Sequence, residues 1–412
     1  MATTVIETIY FIYIFLALYM ISLFVLIYIQ NRKEMFYYPK GKVEPVSIVM
    51  PCYNEADSIG EAIEGLLNLD YPKNKIEIIV VDDRSTDDSV KVVKKYVKNY
   101  KNVKLIVNKK NSGGAAEPTN LGVLKAKYDY IAVADADSMP EKDALKKMIG
   151  FLQKDEKVGG VTCGIMAKKR DSFIEKLQAI EYSVIAFTRK LLDRVDAVYV
   201  TPGPFALYKK KVLLEIGLFD TKNMTQDIEI VWRMVYYGYV ARMCLATRTH
   251  SITPTRFRHW WKQRIRWNIG GLQTIIKYKG FFLRRGMLGA FILPFFVISL
   301  CVGILGLGIF VYLLGRRIWI TYFATKFSVF VGTALVRTSE FNLSPQVLHF
   351  FGLSLFILGV LFTILGLSVM KEKELRDKNL FVLAFYFLIY LSLYPLILIT
   401  SVYKLARGKY SW

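Results

Sequence analysis

Residues 76–83 read Ile-Glu-Ile-Ile-Val-Val-Asp-Asp, a nearly continuous apolar run, rich in β-branched residues, that ends in two carboxylates. Such a run is typical of a strand buried on both faces of a parallel sheet. Similar strands and intervening helices are expected on either side, with strands at 46–50, 103–107 and 130–134 and helices at 58–69, 86–100 and 118–127. This alternation predicts an α/β domain with a parallel-type central sheet covered by helices on both faces.

Polar and acidic residues come directly after the predicted strands. They lie at 51–55, at 82–83, at 112–115, and at 135–137. Ligands of such sheets bind beyond the carboxyl ends of the strands. Carboxylates gathered at one edge repel each other, and a divalent cation removes that repulsion. Because carboxylate oxygens suit Mg²⁺ or Mn²⁺, the pattern predicts a metal-dependent site at this edge of the sheet.

The overall composition excludes several other classes of protein. The chain has 412 residues and a formal net charge of +22. A basic soluble protein would suggest nucleic acid, but no recognised nucleic-acid motif is present, and basic residues beside membrane spans account for the charge. Four cysteines and three histidines are scattered along the chain. Their spacing argues against a disulfide framework, a zinc site or a histidine-ligated metal.

Long uncharged apolar runs lie outside the predicted α/β domain. The first, at 8–29, is long enough to cross a bilayer and lacks the features of a cleaved signal peptide. Arg32 and Lys33 follow it and predict a cytoplasmic position for the domain downstream. Further runs occupy 287–314, 347–370 and 380–403. The piece at 318–336 contains Lys326 and is either a tilted span or an interfacial helix.

These runs predict an integral membrane protein with four or five spans, in contact with membrane lipids. Four spans would leave the C-terminus outside the cell and five would leave it inside. The predicted parts are an N-terminal transmembrane anchor at 1–30, a cytoplasmic α/β domain at 43–256, interfacial helices at 257–286, and a C-terminal transmembrane region of three or four spans at 287–403.

Four short motifs in order make the domain recognisable. They read VVDD at 80–83, DAD at 135–137, TQD at 225–227 and QRIRW at 263–267. From about residue 46 to residue 267 the chain resembles the family 2 glycosyltransferases. Within them it is similar to the membrane-integrated branch that includes cellulose, hyaluronan and poly-N-acetylglucosamine synthases.

The resemblance implies a GT-A (nucleotide-diphospho-sugar transferase) domain flanked by transmembrane α-helices. It also implies inverting transfer from a nucleotide-sugar donor, with UDP as the expected carrier and Mn²⁺ or Mg²⁺ as the cofactor. By the same resemblance, Asp83 and Asp135 would contact the donor nucleotide, together with Pro51 and Glu55. Asp137, with Asp135, would hold the metal, which neutralises the departing diphosphate.

Asp227 resembles the general base that takes the proton of the acceptor hydroxyl. One base is enough for a single displacement, which inverts the anomeric carbon. The resemblance assigns a further group to the acceptor and the diphosphate: Gln263, Arg264, Arg266, Trp267, Gly203 and Pro204. Tryptophans among arginines are also typical of a membrane interface, and we expect Trp260 and Trp261 to lie in such a belt.

Two positions depart from the family pattern. The residue before the proposed base is usually Glu, and here it is Gln226, which keeps the shape but removes a charge beside Asp227. We therefore expect reduced or altered activity. The second departure lies near Gly114, where the family often has a lysine that this chain lacks. One cation on the phosphate side is therefore expected to be missing or to come from another residue.

Three functions remain open at this point. The QxxRW motif and the C-terminal spans favour a synthase that extends a polysaccharide. The same domain would also serve a transferase that moves one sugar onto a membrane lipid such as a polyprenyl phosphate. A non-catalytic membrane scaffold is the third, and the intact Asp227 argues against it. The sugar, the linkage, partner subunits and the oligomeric state are not legible from the residues.

Overall fold

The computed structural model describes residues 2–284, 286–332, 347–373, 375, 379–408 and 410. Its strands are β1 Val46–Cys52, β2 Ile76–Asp82, β3 Val103–Val107, β4 Tyr130–Val133, β5 Ser138–Pro140, β6 Val158–Ala167, β7 Ala206–Lys209 and β8 Val240–Ser251. The helices of the same region are α2 Ile59–Leu67, α3 Ser89–Asn99, α4 Ala116–Lys125, α5 Ala144–Lys154, α6 Phe173–Asp193, α7 Lys210–Glu215, α8 Gln226–Tyr236 and α9 Phe257–Tyr278. Every strand and helix predicted between residues 46 and 134 is present.

Helix boundaries differ from the predicted ones where side chains bind the backbone of a loop. Helix α3 was expected from residue 86 but begins at Ser89. The Thr86 amide donates to Asn54 Oδ1 at 2.8 Å, and Asp87 Oδ2 accepts from the Ala56 amide at 3.0 Å. These bonds join the loop after β2 to the loop after β1, so the helix starts three residues later.

Within the described residues the strands form one eight-stranded sheet in the order β3-β2-β1-β4-β7-β6-β8-β5. Strand β1 is parallel to β2 and to β4, and β2 is parallel to β3. The parallel arrangement predicted from the sequence therefore holds for the first four strands. Their carboxyl ends share one edge, which gathers the polar residues that follow them.

The other half of the sheet is mixed rather than parallel. Strand β7 runs antiparallel to β4 and β6, β8 runs parallel to β6, and β5 runs antiparallel to β8. No strand was predicted here, because β6 reads VGGVTCGIMA and its glycines and small residues interrupt the β-branched signal. The complete sheet is therefore mixed, not wholly parallel as predicted.

The helices outside the α/β domain are apolar. They are α1 Ala2–Asn31, α10 Leu293–Val331, α11 Val347–Val369, α12 Leu380–Phe385 and α13 Leu393–Ala406. By length and composition, three helices among the described residues are able to cross a membrane, at Glu7–Glu34, Leu288–Val331 and Gly352–Val369. A fourth candidate is the pair formed by α12, which continues to Tyr390, and α13, with a bend of 41° between them.

The uncertain piece at 318–336 is not a separate element as far as the structure describes it. Helix α10 runs through it without interruption to Val331, and residues 333–336 lie outside the described residues. The apolar run at 380–403 was predicted as one span, and its helix breaks at residues 391–392, directly after a π-helical turn at Tyr386–Tyr390. Such turns bend helices, which accounts for the angle between α12 and α13.

The α/β domain and the apolar helices share a hydrophobic core. One buried cluster contains Phe24 of α1, Phe187 of α6 and Met370 at the end of α11. The Phe187 ring lies 5.6 Å from that of Tyr28 and 5.4 Å from that of Phe362, measured between ring centroids. Burial of each such aromatic ring contributes about 1.5–3 kcal/mol to stability. Helix α6 thus fixes the position of the sheet relative to the apolar helices.

Candidate active site

A cavity of about 310 Å³ lies beside the carboxyl edge of the sheet. Helix α6, the start of α8, helix α9 and the loop that precedes β7 form its walls. Nine of the residues predicted from the motifs line it: Asp135, Asp137, Gly203, Pro204, Gln226, Asp227, Gln263, Arg266 and Trp267. Motifs up to 132 residues apart in sequence therefore meet around one space.

Two partly buried carboxylates of the DAD motif line this cavity. Burial raises the pKa of Asp135 to about 8, reinforced by the negative charges of Asp137 and Asp227 and opposed by Arg266. Burial also raises the pKa of Asp137, whose Oδ1 accepts a hydrogen bond from Ser138 Oγ at 2.8 Å. Like charges held this close in a low dielectric favour either a proton or a cation between them.

The donor set fits a hard divalent cation only in part. Within the described residues, no group of three or more His, Cys, Asp or Glu side chains is arranged to hold a metal ion. Asp135 and Asp137 supply two carboxylates. Mg²⁺ is commonly held by one or two carboxylates, with substrate phosphates and water completing its shell. The two residues therefore fit a cation that binds together with a diphosphate.

The loop before β7 approaches Asp135 closely. A Cβ atom placed on Gly203 would lie 2.6 Å from Asp135 Oδ1 and 2.8 Å from Oδ2. Any side chain at position 203 would therefore displace the carboxylate or the loop. The expected acceptor-side loop at Gly203 and Pro204 is thus packed directly against the carboxylate pair.

Asp227 lies in the first turn of α8, where a helix N-terminus favours a negative charge. Its backbone carbonyl accepts a hydrogen bond from the Thr201 amide at 3.2 Å, which ties α8 to the loop containing Gly203. Burial raises the pKa of the carboxyl group, and the charges of Arg266 and Arg189 oppose that rise. A carboxylate with these surroundings is suited to accept a proton.

Helix α9 sets the position of the TQD motif. A Cβ atom on Gly270 would lie 2.0 Å from Thr225 Oγ1 and 2.6 Å from the Thr225 amide nitrogen. Only glycine allows the two segments to come this close. The residue next to Thr225, Gln226, lines the cavity, and its Oε1 is buried without a hydrogen-bond partner in the described part of the chain.

Arg264 does not lie where the motif suggested. It is wholly buried and does not line the cavity. Its Nε donates to Glu181 Oε1 at 3.1 Å, and its second amino group binds Glu181 Oε2. Because Arg264 does not line the cavity, its position does not fit the expected contact with a diphosphate. Arg264 instead supports the cavity, because it donates to Gln263 Oε1 and its guanidinium carbon lies 4.1 Å from the centroid of the Trp267 ring.

The Arg264–Glu181 pair is extended by the last two helices. Tyr390 donates to Glu181 Oε2 at 2.6 Å and accepts from Trp260 Nε1 at 2.6 Å, while Tyr394 donates to Glu181 Oε1. Trp260 is fully buried, so it is not part of a membrane-interface belt as expected. The belt was inferred from tryptophans beside arginines, but the packing of α9 against α13 covers this ring.

Pro51, Glu55 and Asp83, expected at the nucleotide, do not line the cavity. They lie at the neighbouring strand ends of β1 and β2. Asp83 Oδ1 accepts from Asn108 Nδ2 at 2.7 Å, and Oδ2 accepts from the Ser112 amide at 2.9 Å. Glu55 Oε2 accepts from Ser58 Oγ at 2.6 Å, and burial raises the pKa of Glu55. These side chains hold the loops beside the cavity in place.

The sequence analysis missed several cavity residues, among them the polar side chains of Tyr182, Arg189 and Tyr199. Tyr182 and Arg189 belong to α6, which lies outside the region where strands and helices were assigned. A signal was present, since α6 carries charged residues within an otherwise apolar helix. That signal does not show which of them face the cavity, because the direction depends on how the helix packs.

The sheet and the cavity at its carboxyl edge define a domain of the GT-A type. Residues 47–217 match the model of glycosyl transferase family 2. Among its relatives are the poly-β-1,6-N-acetyl-D-glucosamine synthases of Staphylococcus epidermidis, 30% identical over 268 residues and 64% of each chain, and of Staphylococcus aureus strain MSSA476, 31% identical over 237 residues and 57% of each chain. The matched regions span about three fifths of the length of these curated relatives.

A solved structure shares the fold over nearly the whole chain. It is the mannosyltransferase PcManGT from Pyrobaculum calidifontis in complex with GDP-Man and Mn²⁺. The TM-score is 0.59 with 18% sequence identity, and the match covers 98% of this chain and 100% of the other. At this identity the likeness establishes the common GT-A fold.

Proposed function

We propose that this protein is a metal-dependent, inverting membrane glycosyltransferase that extends a polysaccharide from a UDP-sugar. The observation that carries the proposal is the cavity in which Asp227, the carboxylate pair Asp135–Asp137 and Arg266 meet. Kinship with poly-β-1,6-N-acetyl-D-glucosamine synthases supports N-acetylglucosamine as the sugar and a β-1,6-linked polymer as the product.

In the proposed reaction Asp227 takes the proton of an acceptor hydroxyl while that oxygen attacks the anomeric carbon. The new glycosidic bond forms as the bond from the anomeric carbon to the phosphate oxygen breaks, and the nucleoside diphosphate leaves with the bonding electrons. Attack from the opposite face inverts the anomeric centre, so no second carboxylate is needed as a nucleophile.

Asp135 and Asp137 are the residues that would hold Mn²⁺ or Mg²⁺. When bound, the cation neutralises charge on the leaving diphosphate. Arg266 would bind the same diphosphate through its forked donors, beside Gln263. Trp267 would offer an apolar face to a sugar ring. Pro51, Glu55 and Asp83 would border the nucleoside at the neighbouring strand ends.

The apolar helices are proposed to cross the membrane, with the catalytic domain on the cytoplasmic side, where nucleotide sugars are made. Arg32 and Lys33 support this orientation, because they follow α1 directly and basic residues flank spans on the cytoplasmic side. Protease added to inside-out vesicles should cut the α/β domain, and protease added to right-side-out vesicles should leave it intact. The opposite pattern would reverse the orientation.

The decisive experiment measures nucleotide release by the purified protein in detergent with Mn²⁺ or Mg²⁺. A panel of UDP- and GDP-sugars is supplied with and without lipid extract, and the products are sized. Release from UDP-N-acetylglucosamine that yields a polymer supports the proposal. Release that requires lipid and yields a single-sugar product would establish the lipid transferase instead.

An isosteric variant of Asp137 tests whether the carboxylate pair holds the metal. Asp137→Asn should weaken Mn²⁺-dependent binding of UDP, while binding measured in the presence of a chelator should stay as it is in the wild type. If Asp137→Asn bound UDP with unchanged dependence on Mn²⁺, these carboxylates would not be the metal ligands. Absence of release from every donor by the wild type would contradict the proposed activity itself.

A further inference from the structure

Arg189 is a charged residue of the cavity that the proposed reaction does not use. Arg189 lies near the C-terminal end of α6, and its side chain lines the cavity. The residue is only 6% exposed. Its Nε is buried without a partner, and the guanidinium forms no hydrogen bond or ion pair within the part of the chain that the structure describes. A buried charge without a partner is costly, and such groups cluster at functional sites.

The neighbours of Arg189 on α6 are all engaged. Phe187 packs against the rings of Tyr28 and Phe362, and Lys190 forms a buried ion pair with Asp193 at 2.7 Å. Lys190 also donates to a backbone carbonyl of β8 at 2.7 Å. The helix is therefore fixed on both sides of Arg189, which holds the unpaired guanidinium at the wall of the cavity.

Arg189 lines the same cavity as Asp227. The charges of Arg266 and Arg189 both oppose the rise in the pKa of Asp227, whereas for Asp135 the opposing cation is Arg266. The loop that follows α6 in sequence contains Gly203 and Pro204, which line the cavity and were expected to meet the acceptor and the diphosphate. These neighbours favour the acceptor over the donor diphosphate as the ligand of Arg189.

The charges of the cavity indicate the kind of acceptor. Three carboxylates (Asp135, Asp137 and Asp227) face two guanidinium groups (Arg189 and Arg266). A divalent cation and the two negative charges of a nucleoside diphosphate sugar cancel each other. A further phosphate would then enter a site that already carries an excess of negative charge. A neutral acceptor rich in hydroxyl groups adds no charge and can accept from every guanidinium N–H.

We propose that Arg189 binds the acceptor sugar, donating hydrogen bonds to oxygens of the same neutral glycan unit whose hydroxyl Asp227 deprotonates. The inference rests on the proposed function and adds to it the residue that selects and holds the acceptor. It also assigns the cavity wall formed by α6 to the acceptor subsite. Helix α6 packs against the apolar helices α1 and α11.

The test replaces Arg189 by Met, which keeps the length but removes the charge and the donors. Binding of a β-1,6-linked N-acetylglucosamine pentamer is measured with UDP and Mn²⁺ present, and binding of UDP with Mn²⁺ is measured separately. We expect the pentamer to bind roughly tenfold to a hundredfold more weakly, the loss typical of a hydrogen bond from a charged donor. UDP affinity should not change, and Arg189→Lys should fall between the two.

Thermal unfolding of the ligand-free protein separates binding from a structural role. Removal of an unpaired buried charge should leave Tm unchanged or raise it, whereas loss of a structural residue would lower it. Arg194→Met is the matched control. Arg194 lies at the C-terminal end of the same helix, and its Nε is also buried without a partner. It does not line the cavity, and it forms an ion pair with Glu34 at 2.9 Å. Its pentamer affinity should equal that of the wild type.

Several outcomes would overturn the inference. A lower Tm with loss of both affinities would make Arg189 structural, and weaker UDP binding alone would assign it to the donor. Unchanged pentamer affinity and turnover in Arg189→Met would refute it while the proposed function stood. Arg189-dependent transfer to a polyprenyl phosphate, with no pentamer binding by the wild type, would mean an anionic acceptor. If the wild type released no nucleotide from any donor, the proposed function would be wrong as well.

Discussion

At Asp227 a single carboxylate combines burial, a helix N-terminus and two nearby cations. If it is the general base, Asp227→Asn should reduce transfer about a hundredfold to ten-thousandfold, since general base catalysis contributes that much. Mn²⁺-dependent UDP binding should remain, because the base acts on the acceptor. The measurement compares nucleotide release with the UDP dissociation constant. Near-normal turnover in Asp227→Asn would exclude this residue as the base.

The same carboxylate predicts the acid limb of the pH profile. Burial raises the pKa of Asp227 above its ordinary value of 3.8. A base must be ionised to accept a proton, so transfer should rise with pH as the group ionises, and the rise should lie above pH 4 rather than below it. The measurement is kcat/KM for acceptor at saturating donor and metal. A profile that is flat across this range would contradict the assignment.

At the scale of elements, the contact between α9 and the start of α8 depends on one missing side chain. Gly270→Ala should force Thr225 away, because a Cβ atom would overlap with it. Overpacking of this kind costs about 1–3 kcal/mol. We expect a lower Tm and slower transfer, since Asp227 follows two residues later. Both are measured on the purified protein in detergent.

The adjacent residue supplies the control. A Cβ atom on Gly271 would have no neighbour within 4 Å. Gly271→Ala should therefore keep activity and raise stability slightly, because alanine is the better helix former. Equal behaviour of the two variants would mean that the close approach of α9 does not position the base.

The hydroxyl groups of Tyr390 and Tyr394 connect the last helices to the QxxRW segment. Both donate to Glu181, which holds Arg264 beneath Gln263 and Trp267. Replacement of both tyrosines by Phe should cost about 1–3 kcal/mol for each lost bond to a charged group. It should also lower kcat, because Arg264 would no longer hold the cavity wall in one arrangement.

Tyr386→Phe is the control for this network. Tyr386 is buried and stacks on Tyr390 at 5.4 Å, but its hydroxyl makes no hydrogen bond within the described residues. Tm and kcat of this variant should match the wild type. If the double variant behaved like Tyr386→Phe, the network would have no part in positioning the site.

For the whole molecule, the shared core predicts that the α/β domain does not stand alone. A fragment of residues 43–256 would expose the surface around Phe187 that Phe24 and Met370 cover in the full chain. Large exposed apolar patches lead to aggregation. We expect the fragment to elute as aggregate from size-exclusion chromatography, while the full chain in detergent is monodisperse. A soluble monomeric fragment that binds UDP with Mn²⁺ would contradict this view.

The residue sequence by itself determined the parallel half of the sheet, the apolar helices and nine of the residues that line the cavity. Strands β1, β2 and β4 are apolar runs with acidic residues after β2 and β4, and this local pattern does not depend on distant contacts. The tertiary structure alone decided the mixed half of the sheet and the positions of Arg264, Trp260 and Arg189. Glu181 lies 83 residues from Arg264 and 209 from Tyr390. Which side of a helix meets such distant partners depends on how the helices pack, and no local pattern encodes that choice.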